Sequence, residues 1–494
     1  MEEDNRLRQE RIKKLGELRE KGIEPYPYSF SVRAYSKEIK ERFKDLLPEE
    51  KASDEVNIAG RIMTIRRMGK ASFFHLEDGE GRIQVYIRQD DIGEKIYEIF
   101  RHADIGDIVG IIGTVFSTKT GEITVYSSSF HILSKSLLPL PDKWHGIKDV
   151  EVRYRKRYVD LIMNKDIRDV FALRSRIIQE IRNYYLSKGF LEVEIPILQT
   201  IYGGASAKPF VTHHNALNMK MYLSISPEMY LKRLIVGGFP KVFTFGKCFR
   251  NEGIDRTHNP EFTNLESYEA YIDYEQVMKH TEELFSTVVE KVHGSPKVKF
   301  QDETIDFSPP FKRISMIDAL KEYAKIDATT LSDEELFDLN TTYTLAIEGE
   351  LNRGIVIERL FEELVEARLI QPTFVIDHPK ESTPLCKGKR GDPSLIERFE
   401  LYINGWEIAN AYSELNDPLL QKQLLEEQAE KGRGGDEEAH PYDADFIEAL
   451  EYGMPPTGGL GIGIDRVVML LTNSASIRDV LFFPVMKPEE QPGQ

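Results

Sequence analysis

Hydrophobic and polar positions follow a helical period at the start of the chain. Leu7, Ile12, Leu15 and Leu18 recur at nearly helical spacing among charged side chains, and the pattern stops before Gly22. Apolar residues that return to one face every three or four positions predict an amphipathic helix over about the first twenty residues.

The pattern changes between Val56 and Leu133 to short alternating runs separated by glycine. Strand-like residues fill five such runs, which read NIAGRIM, ASFFHLED, GRIQVYI, DIVGIIGTV and EITVYSSSFHIL. Five short strands at this spacing predict a small closed β-barrel.

The two-residue period of a strand also indicates which barrel side chains face outward. It places Phe74 and Val85 inside the barrel and Phe73 and Gln84 outside. An outward aromatic ring beside an amide is typical of an OB-fold, which stacks unpaired bases on the ring and hydrogen-bonds to their edges. A neighbouring domain that covers Phe73 is an alternative that the sequence leaves open.

The remainder of the chain alternates helical patterns with strand-like runs, which predicts a large α+β domain. Helical periodicity covers residues 170–188, 274–293 and 331–366, between runs such as VFTFGKCF and FELYING. The leucine- and proline-rich segment 138–141 marks a boundary before this domain. We therefore divide the chain into a helical lead-in at 1–50, the barrel at 51–140, a linker at 141–165 and the α+β domain at 166–494.

Composition narrows the class of protein. Hydrophobic residues make up 41% of the chain and charged residues 30%, and no apolar run approaches the roughly 20 residues that a membrane span needs. The charged N-terminus lacks the apolar segment of a secretory signal, so we expect a soluble cytoplasmic protein without membrane spans. Cys248 and Cys386 are expected to be reduced structural thiols, with no zinc site.

Charge argues against a protein that coats nucleic acid non-specifically, because the net charge is −17. Two basic clusters are local exceptions, and each is either a nucleic-acid contact or a solvated face. The clusters are Arg61, Arg66, Arg67 and Lys70 in the barrel, and Arg153, Arg155, Lys156 and Arg157 after it.

Three ordered segments of the α+β domain carry residues suited to a nucleotide. The first, residues 188–196, is a helix end followed by an extended run with proline. The second has Arg250 on a strand, where a guanidinium can bind a phosphate and a carboxylate bidentately. The third, from Gly459 to Arg466, spaces its glycines as GxGxG before an acid–arginine pair, unlike a dinucleotide fold or a P-loop.

Together these segments resemble the three motifs of the class II aminoacyl-tRNA synthetases. The resemblance implies an antiparallel β-sheet flanked by helices, with the first segment in a dimer interface. It assigns Arg250 to the α-phosphate of ATP, Arg466 to the γ-phosphate and Phe262 to stacking on adenine. The ATP-binding residues that it implies are Arg250, Glu252, His258, Asn259, Phe262, Glu400, Gly463 and Arg466, of which Arg250, Glu252 and Arg466 are the catalytic ones.

A triphosphate needs divalent cations, and two carboxylates are placed to hold them. Glu400 and Glu407 flank a predicted turn at Asn404 and Gly405, so they lie on adjacent strands and offer the hard oxygen ligands that Mg²⁺ prefers. Two carboxylates on a hairpin are more often ordinary surface residues. The resemblance, however, puts these two at the magnesium site of the family.

A set of carboxylates indicates which amino acid the domain would take as its substrate. A buried ammonium needs opposite charge to recover its desolvation cost, and several glutamates would repel the anionic substrate of aspartate-specific relatives. The pattern resembles the lysine-specific class II synthetases, which implies that Glu228, Glu414 and Tyr268 surround the ε-ammonium. Glu266 would bind the α-amino group. The full set implied for L-lysine is Gly204, Glu228, Glu266, Tyr268, Asn410, Tyr412 and Glu414.

The resemblance also implies a reaction and its partners. Lysine and ATP would form lysyl-adenylate with Mg²⁺ present, and a homodimer would then transfer lysine to tRNA(Lys). The implied anticodon contacts are Arg61, Phe73, Gln84 and Glu122. Two alternatives remain: a ligase that transfers lysine to a protein or a lipid, which the barrel and the lack of apolar spans disfavour, and an inactive nucleic-acid-binding regulator, which the intact motif residues disfavour.

Overall fold

The chain forms two compact units, which comprise residues 1–148 and 149–494. No described helix is both long enough and apolar enough to cross a membrane. The computed structural model describes residues 2–141, 149–345, 347, 351–434 and 439–489.

The first unit is a β-barrel with an N-terminal helix. Its elements are α1 (Glu2–Glu20), α2 (Ser36–Arg42), β1 (Lys51–Met68), β2 (Ala71–Glu77), β3 (Arg82–Arg88), α3 (Gln89–Ile92), α4 (Glu94–Arg101), β4 (Ile108–Ser117) and β5 (Ile123–Ser134). The strands close in the order β1-β2-β3-β5-β4. Both the helix and the closed five-stranded barrel agree with the sequence pattern.

The barrel interior follows the two-residue period of its strands. Phe74, Leu76, Val85 and Ile87 are at most 1% exposed, whereas their outward neighbours on β2 and β3 are partly exposed. Leu18 of α1 belongs to the same apolar cluster, so the N-terminal helix is part of the barrel core. Burial of alternate apolar residues is therefore what fixes the register of this unit.

The second unit contains fourteen described strands and twelve described α-helices. The strands are β6 (Leu191–Glu192), β7 (Leu198–Gln199), β8 (Val211–His214), β9 (Met219–Leu223), β10 (Lys241–Phe249), β11 (Glu261–Ala270), β12 (Lys297–Phe300), β13 (Glu303–Asp306), β14 (Lys312–Ser315), β15 (Thr373–Pro379), β16 (Gly388–Lys389), β17 (Asp392–Ile403), β18 (Trp406–Ser413) and β19 (Thr457–Gly463). The helices are α5 (Val150–Arg155), α6 (Arg157–Met163), α7 (Lys165–Ser187), α8 (Glu228–Val236), α9 (Tyr274–His293), α10 (Met316–Ala319), α11 (Asp333–Tyr343), α12 (Arg353–Leu364), α13 (Pro418–Arg433), α14 (Ala444–Glu451), α15 (Ile464–Leu471) and α16 (Ile477–Val480).

One large sheet organises this unit, in the order β14-β15-β17-β18-β19-β11-β10-β6, with β16 paired to β17. The six strands from β15 to β10 pair antiparallel, and only the two edge pairs are parallel. One face of the sheet packs on α7 and α9 through apolar residues such as Phe243, Leu265 and Ile462. The antiparallel α+β architecture is confirmed, and the opposite face is left for polar side chains.

The helical pattern predicted over residues 331–366 is interrupted, because α11 and α12 are separate helices. Thr344 adopts a left-handed conformation at the end of α11, and the Asn352 side chain accepts a hydrogen bond from the Ile355 amide to start α12. Leu345 and Ile347 pack against the same apolar cluster as both helices. Their burial continues the hydrophobic period across the break, which is why the sequence pattern looks like one helix; residues 346 and 348–350 lie outside the described part.

The predicted linker at 141–165 includes residues 142–148, which lie outside the described part, but from Val150 onward it forms the helices α5 and α6 of the second unit, which bury Tyr154, Arg157 and Asp160. Arg157 is fully buried and donates to Asp160 Oδ2 at 2.8 Å and to the Arg478 carbonyl at 2.7 Å. From the sequence, the second basic cluster is explained either as a nucleic-acid contact or as a solvated face. Both explanations are wrong for Arg157, because its guanidinium is buried and bonded within the protein.

We predict that Arg157→Met destabilises the second unit by about 3 kcal/mol, because it leaves the buried Asp160 carboxylate with fewer partners. Urea unfolding of the full chain measures the change. Arg155→Met, which removes an ion pair to exposed Glu151, should cost under about 1 kcal/mol. Equal effects of the two substitutions would contradict the structural role of Arg157.

Candidate active site

A cavity of about 390 Å³ opens on the polar face of the large sheet. It is bounded by β11, β18 and β19, by the start of α8 and by the loop between β10 and β11. Every site residue predicted in the α+β domain lines it except Glu400. Those residues are Gly204, Glu228, Arg250, Glu252, His258, Asn259, Phe262, Glu266, Tyr268, Glu407, Asn410, Tyr412, Glu414, Gly463 and Arg466.

The register of the sheet aligns the floor of this cavity. Strand β19 runs between β11 and β18, so its glycines separate side chains that project from the two neighbouring strands. The aligned rows are Glu266–Gly461–Asn410 and Tyr268–Gly459–Tyr412. Sequence motifs from three distant segments thus meet on one face because of antiparallel pairing.

Position 459 must be glycine because a side chain there has no room. A Cβ atom at this position would lie 1.9 Å from Glu414 Oε1 and 2.6 Å from a ring carbon of Tyr268. At Gly461 the nearest atoms would be 3.7 Å away, so that glycine is not required by packing and instead keeps the cavity floor open. Gly204 is required for a different reason, since its φ of +85° disfavours other residues and a Cβ would meet Ser226 Oγ at 2.7 Å.

Glu266 lies at the end of the cavity that is rich in carboxylates. Its carboxylate accepts hydrogen bonds from Ser226 Oγ at 2.8 Å, Asn264 Nδ2 at 3.0 Å and Tyr268 Oη at 3.1 Å. Burial, followed by the charge of Glu228, raises its pKa to about 8. Without a cationic ligand this carboxyl group therefore tends to hold a proton.

Lys232 is a residue that the sequence pattern did not single out. It is fully buried, and its Nζ donates to Glu228 Oε1 at 2.6 Å and lies 2.5 Å from Glu414 Oε2. Burial lowers the pKa of this ammonium, but the two carboxylates outweigh that effect and raise it overall. The signal was present in the sequence, because Glu228 and Lys232 stand four residues apart on α8.

Arginines lie at the other end of the cavity. Arg250 follows β10 directly, and its guanidinium carbon stands 5.1 Å from the centre of the Phe262 ring. Its Nε is buried, with no hydrogen-bond partner among the described residues. A buried donor without a partner at the wall of a cavity is suited to an anionic ligand.

Arg466 comes from the first turn of α15 and is held in place by two contacts. It donates to the Glu407 carbonyl at 2.7 Å and lies 3.0 Å from His258 Nε2, while His258 Nδ1 lies 2.7 Å from Asp255 Oδ2. Since an arginine can only donate, the geometry makes His258 Nε2 an acceptor and Nδ1–H the donor to Asp255. Asp255 was not predicted, although it precedes His258 by three residues.

The two predicted metal ligands lie in different surroundings. The turn at Asn404 and Gly405 is confirmed, with φ values of +56° and +69°. Glu407 faces the cavity, whereas buried Glu400 accepts from Arg398 and, at 2.6 Å, from Tyr402. Burial and the charge of Glu400 raise the pKa of Glu407.

This acid pair fits a divalent cation by chemistry, because two hard carboxylates repel each other without one. The described residues contain no group of three or more histidine, cysteine, aspartate or glutamate side chains arranged around a metal. A cation here would complete its coordination with oxygens of water or of a ligand. Arg398, which also donates to Asn410 Oδ1 at 3.1 Å, links this pair to the carboxylate-rich end.

Four remaining side chains have structural surroundings. The Asn259 amide donates to the Glu261 carbonyl at 2.6 Å and accepts from the Val485 amide at 3.3 Å, so it is engaged with backbone. Trp406 packs edge-on against Phe300, with ring centres 5.3 Å apart, at the border of the core. Cys248 and Cys386 are free and buried, as predicted.

The first unit carries the other predicted surface. Phe73 packs on Tyr86, with ring centres 4.8 Å apart, and Gln84 Nε2 donates to Glu122 Oε2 at 2.9 Å. These side chains lie together on the outer face of β2, β3 and the start of β5. Arg61 differs, because it is half-buried and donates to the Gly106 carbonyl at 2.7 Å.

Comparisons with known proteins agree with both units. The family described as tRNA synthetases class II (D, K and N) matches residues 149–487, and the OB-fold nucleic acid binding domain matches residues 56–133. The chain is 55% identical to a protein of Pelotomaculum thermopropionicum over 99% of this chain and 96% of that protein. It is 54% identical to a protein of Syntrophomonas wolfei, over 98% of this chain and 97% of that protein. It is 53% identical to a protein of Thermoanaerobacter pseudethanolicus, over 99% of this chain and 97% of that protein. All three relatives are named lysine-tRNA ligase.

The pKa of Glu266 predicts how stability depends on pH. Because the folded chain binds this proton up to about pH 8 and an ordinary glutamate releases it near 4.5, the folded state holds more protons in between. The unfolding free energy should therefore fall as pH rises from 5 to 8. Glu266→Gln should reduce that slope by up to about 1.4 kcal/mol per pH unit.

Urea unfolding of the ligand-free protein at pH 5, 6, 7 and 8 tests this expectation. Glu261→Gln is the matched control, since Glu261 is exposed on the same strand and should leave the slope unchanged. A Glu266→Gln protein with the wild-type slope would show that the carboxyl group is ionised throughout this range.

Proposed function

The chain belongs to the class II tRNA synthetases, and from this we propose that it is a lysine-tRNA ligase that activates L-lysine with ATP and transfers it to tRNA(Lys). The observation that carries the proposal is one cavity with buried carboxylates at one end and arginines at the other. Such a cavity suits an amino acid with two ammonium groups beside an anionic nucleotide.

The carboxylate-rich end supports lysine as the substrate. We infer that Glu228 and Glu414 bind the ε-ammonium with help from Tyr268, and that Glu266 binds the α-amino group. Bringing an ammonium out of water costs several kcal/mol, which opposite charges at close range recover. Asn410, Tyr412 and Gly204 complete the set that would hold the rest of the amino acid.

The arginine end supports ATP as the second substrate. The free buried Nε of Arg250 is suited to the α-phosphate, and Arg466, fixed by the Glu407 carbonyl and His258, is suited to the γ-phosphate. Phe262 would stack on adenine under the Arg250 guanidinium, and Glu252 would contact the nucleotide. Asn259 would act indirectly by holding the loop that carries His258.

Catalysis by these residues would consist of positioning and charge stabilisation. The lysine carboxylate attacks the α-phosphorus, pyrophosphate leaves, and a ribose hydroxyl of the terminal adenosine of the tRNA then attacks the carbonyl, which releases AMP. Arg250 would stabilise the charge that builds on the α-phosphate. Glu407 and Glu400 would hold Mg²⁺, which neutralises phosphate charge when bound.

The outer face of the barrel supports recognition of the anticodon. Phe73 offers a ring on which an unpaired base can stack, and the Gln84–Glu122 pair offers both a donor and an acceptor to base edges. Arg61 would contribute charge at the border of this face, since its half-buried guanidinium is held by the Gly106 carbonyl.

Exposed apolar residues support a homodimer. Leu186, Leu191, Ile197 and Leu198 are 45–50% exposed, near the end of α7 and around the edge strand β6. These residues surround the first motif, and a second copy of the chain would cover them. A cytoplasmic location would accord with a role in translation.

Arg250→Ala should lower lysine-dependent ATP–pyrophosphate exchange by about 10²–10³-fold or more, because it removes charge stabilisation at the reacting phosphate. Lys247→Ala, on the same strand and paired with exposed Glu261, should retain near-normal exchange. Exchange by the wild-type protein across all twenty amino acids is the direct test of substrate. Wild-type protein that exchanges with another amino acid but not with lysine would refute the proposal.

Phe73→Ala should raise the KM for tRNA about tenfold and leave ATP–pyrophosphate exchange unchanged, since base stacking contributes about 1–3 kcal/mol. Aminoacylation and exchange assays on the same preparation measure the two effects. Ile105→Ala removes an exposed apolar residue elsewhere on the barrel and should change neither activity. Parallel loss of both activities in Phe73→Ala would indicate that the ring is structural.

A further inference from the structure

Lys232 contacts the carboxylate-rich end from behind the cavity wall. It is fully buried and does not belong to the cavity lining, whereas its partners Glu228 and Glu414 both line the cavity. Its ammonium approaches one oxygen of each carboxylate, at 2.6 Å and 2.5 Å. The chain thus places a lysine of its own against the two groups inferred to bind the substrate ammonium.

This arrangement balances charge within the protein. Glu228, Glu266 and Glu414 are all at most 5% exposed, and three uncompensated carboxylates at this depth would be costly. Lys232 supplies one positive charge to the set. When a cationic ligand keeps all three carboxyl groups ionised, two carboxylate charges remain for it, which matches the two ammonium groups of free lysine.

Lys232 also decides which oxygens a ligand can use. It engages Oε1 of Glu228 and Oε2 of Glu414, so the second oxygen of each carboxylate is left for the cavity. Neither oxygen of Glu414 has a hydrogen-bond partner among the described residues, but Oε2 forms the ion pair with Lys232 while Oε1 occupies the space that the missing side chain of Gly459 provides. Each glutamate therefore presents a single oxygen rather than a pair.

A site that offers one oxygen from each carboxylate suits an ammonium better than a guanidinium. A primary ammonium has three donors that point in separate directions, and it can bond to one oxygen from each of several residues. A guanidinium has a planar fork of donors, which binds best to both oxygens of one carboxylate. A site that withholds one oxygen of each pair favours the ammonium.

We propose that Lys232 is a positioning residue that sets the preference of this enzyme for lysine over arginine by occupying one oxygen of Glu228 and one of Glu414. The proposal rests on the proposed function. It adds that discrimination between two cationic amino acids is built by a residue outside the cavity, rather than by the length of the pocket alone.

Lys232→Met tests the proposal, because methionine has a similar length and no charge. We expect ATP–pyrophosphate exchange to show a ratio of kcat/KM for lysine to kcat/KM for arginine at least tenfold below wild type. The loss should come mainly from a higher KM for lysine, with the KM for ATP unchanged. Arg233→Met, which removes the next cation on α8 and its 2.8 Å ion pair with Asp443, should keep the wild-type ratio.

A second variant separates charge from geometry and covers a failure of the first to fold. Lys232→Met combined with Glu414→Gln keeps the net charge of the set while freeing both oxygens of Glu228. This double variant should also show the lower ratio. A folded protein of either kind, judged by thermal unfolding, that keeps the wild-type ratio would overturn the proposal. Wild-type protein without lysine-dependent exchange would instead refute the proposed function.

Discussion

The burial of several carboxylates around one point is the constraint on which the site depends. Glu228, Glu266 and Glu414 come from a helix, a central strand and a strand end, and like charges held this close together repel one another. The chain offsets that repulsion with the ammonium of Lys232 and with hydroxyl and amide donors around Glu266. In the proposed function a cationic substrate would complete the compensation, so that binding and charge neutralisation would be one event.

The antiparallel sheet makes this concentration of charge possible. Its apolar face packs on two long helices and forms the main core of the second unit, so the strands are held rigidly from one side. The polar face can then carry charged side chains in fixed rows. The glycines of β19 leave the room between these rows, and at Gly459 the room is already taken by a carboxylate oxygen of Glu414.

At the arginine end of the cavity the charges of the protein are positive. Arg250 and Arg466 are held by an aromatic ring, a backbone carbonyl and a histidine, which leave part of each guanidinium available to an anion. Under the proposed function, the two ends would attract different parts of the substrates, and the separation of charge along one cavity would bring a carboxylate to a phosphate. Catalysis in the proposed reaction would then rest on electrostatic arrangement, with no nucleophilic side chain.

Sequence patterns were sufficient for most of the elements and for most of the residues that line the cavity. Hydrophobic patterns predicted the barrel, the inward position of Phe74 and the strands β10 and β17, because these patterns reflect burial that local geometry imposes. Motif residues such as Arg250 could be assigned because their spacing reflects a chemical requirement. The break near Thr344 was missed, since the buried residues after it continue the same period.

The sequence by itself thus determined the fold class, the family and the substrate type of this protein. Only the tertiary structure decided that Arg157 is buried, that Glu400 stands behind Glu407, and that Lys232 pairs with two glutamates from different segments. Periodicity reports whether a residue is buried but not which distant charges surround it. The Glu228–Lys232 pair lies within one helix, but the contact of Lys232 with Glu414 depends on how separate strands and helices meet, and no local pattern in the chain encodes it.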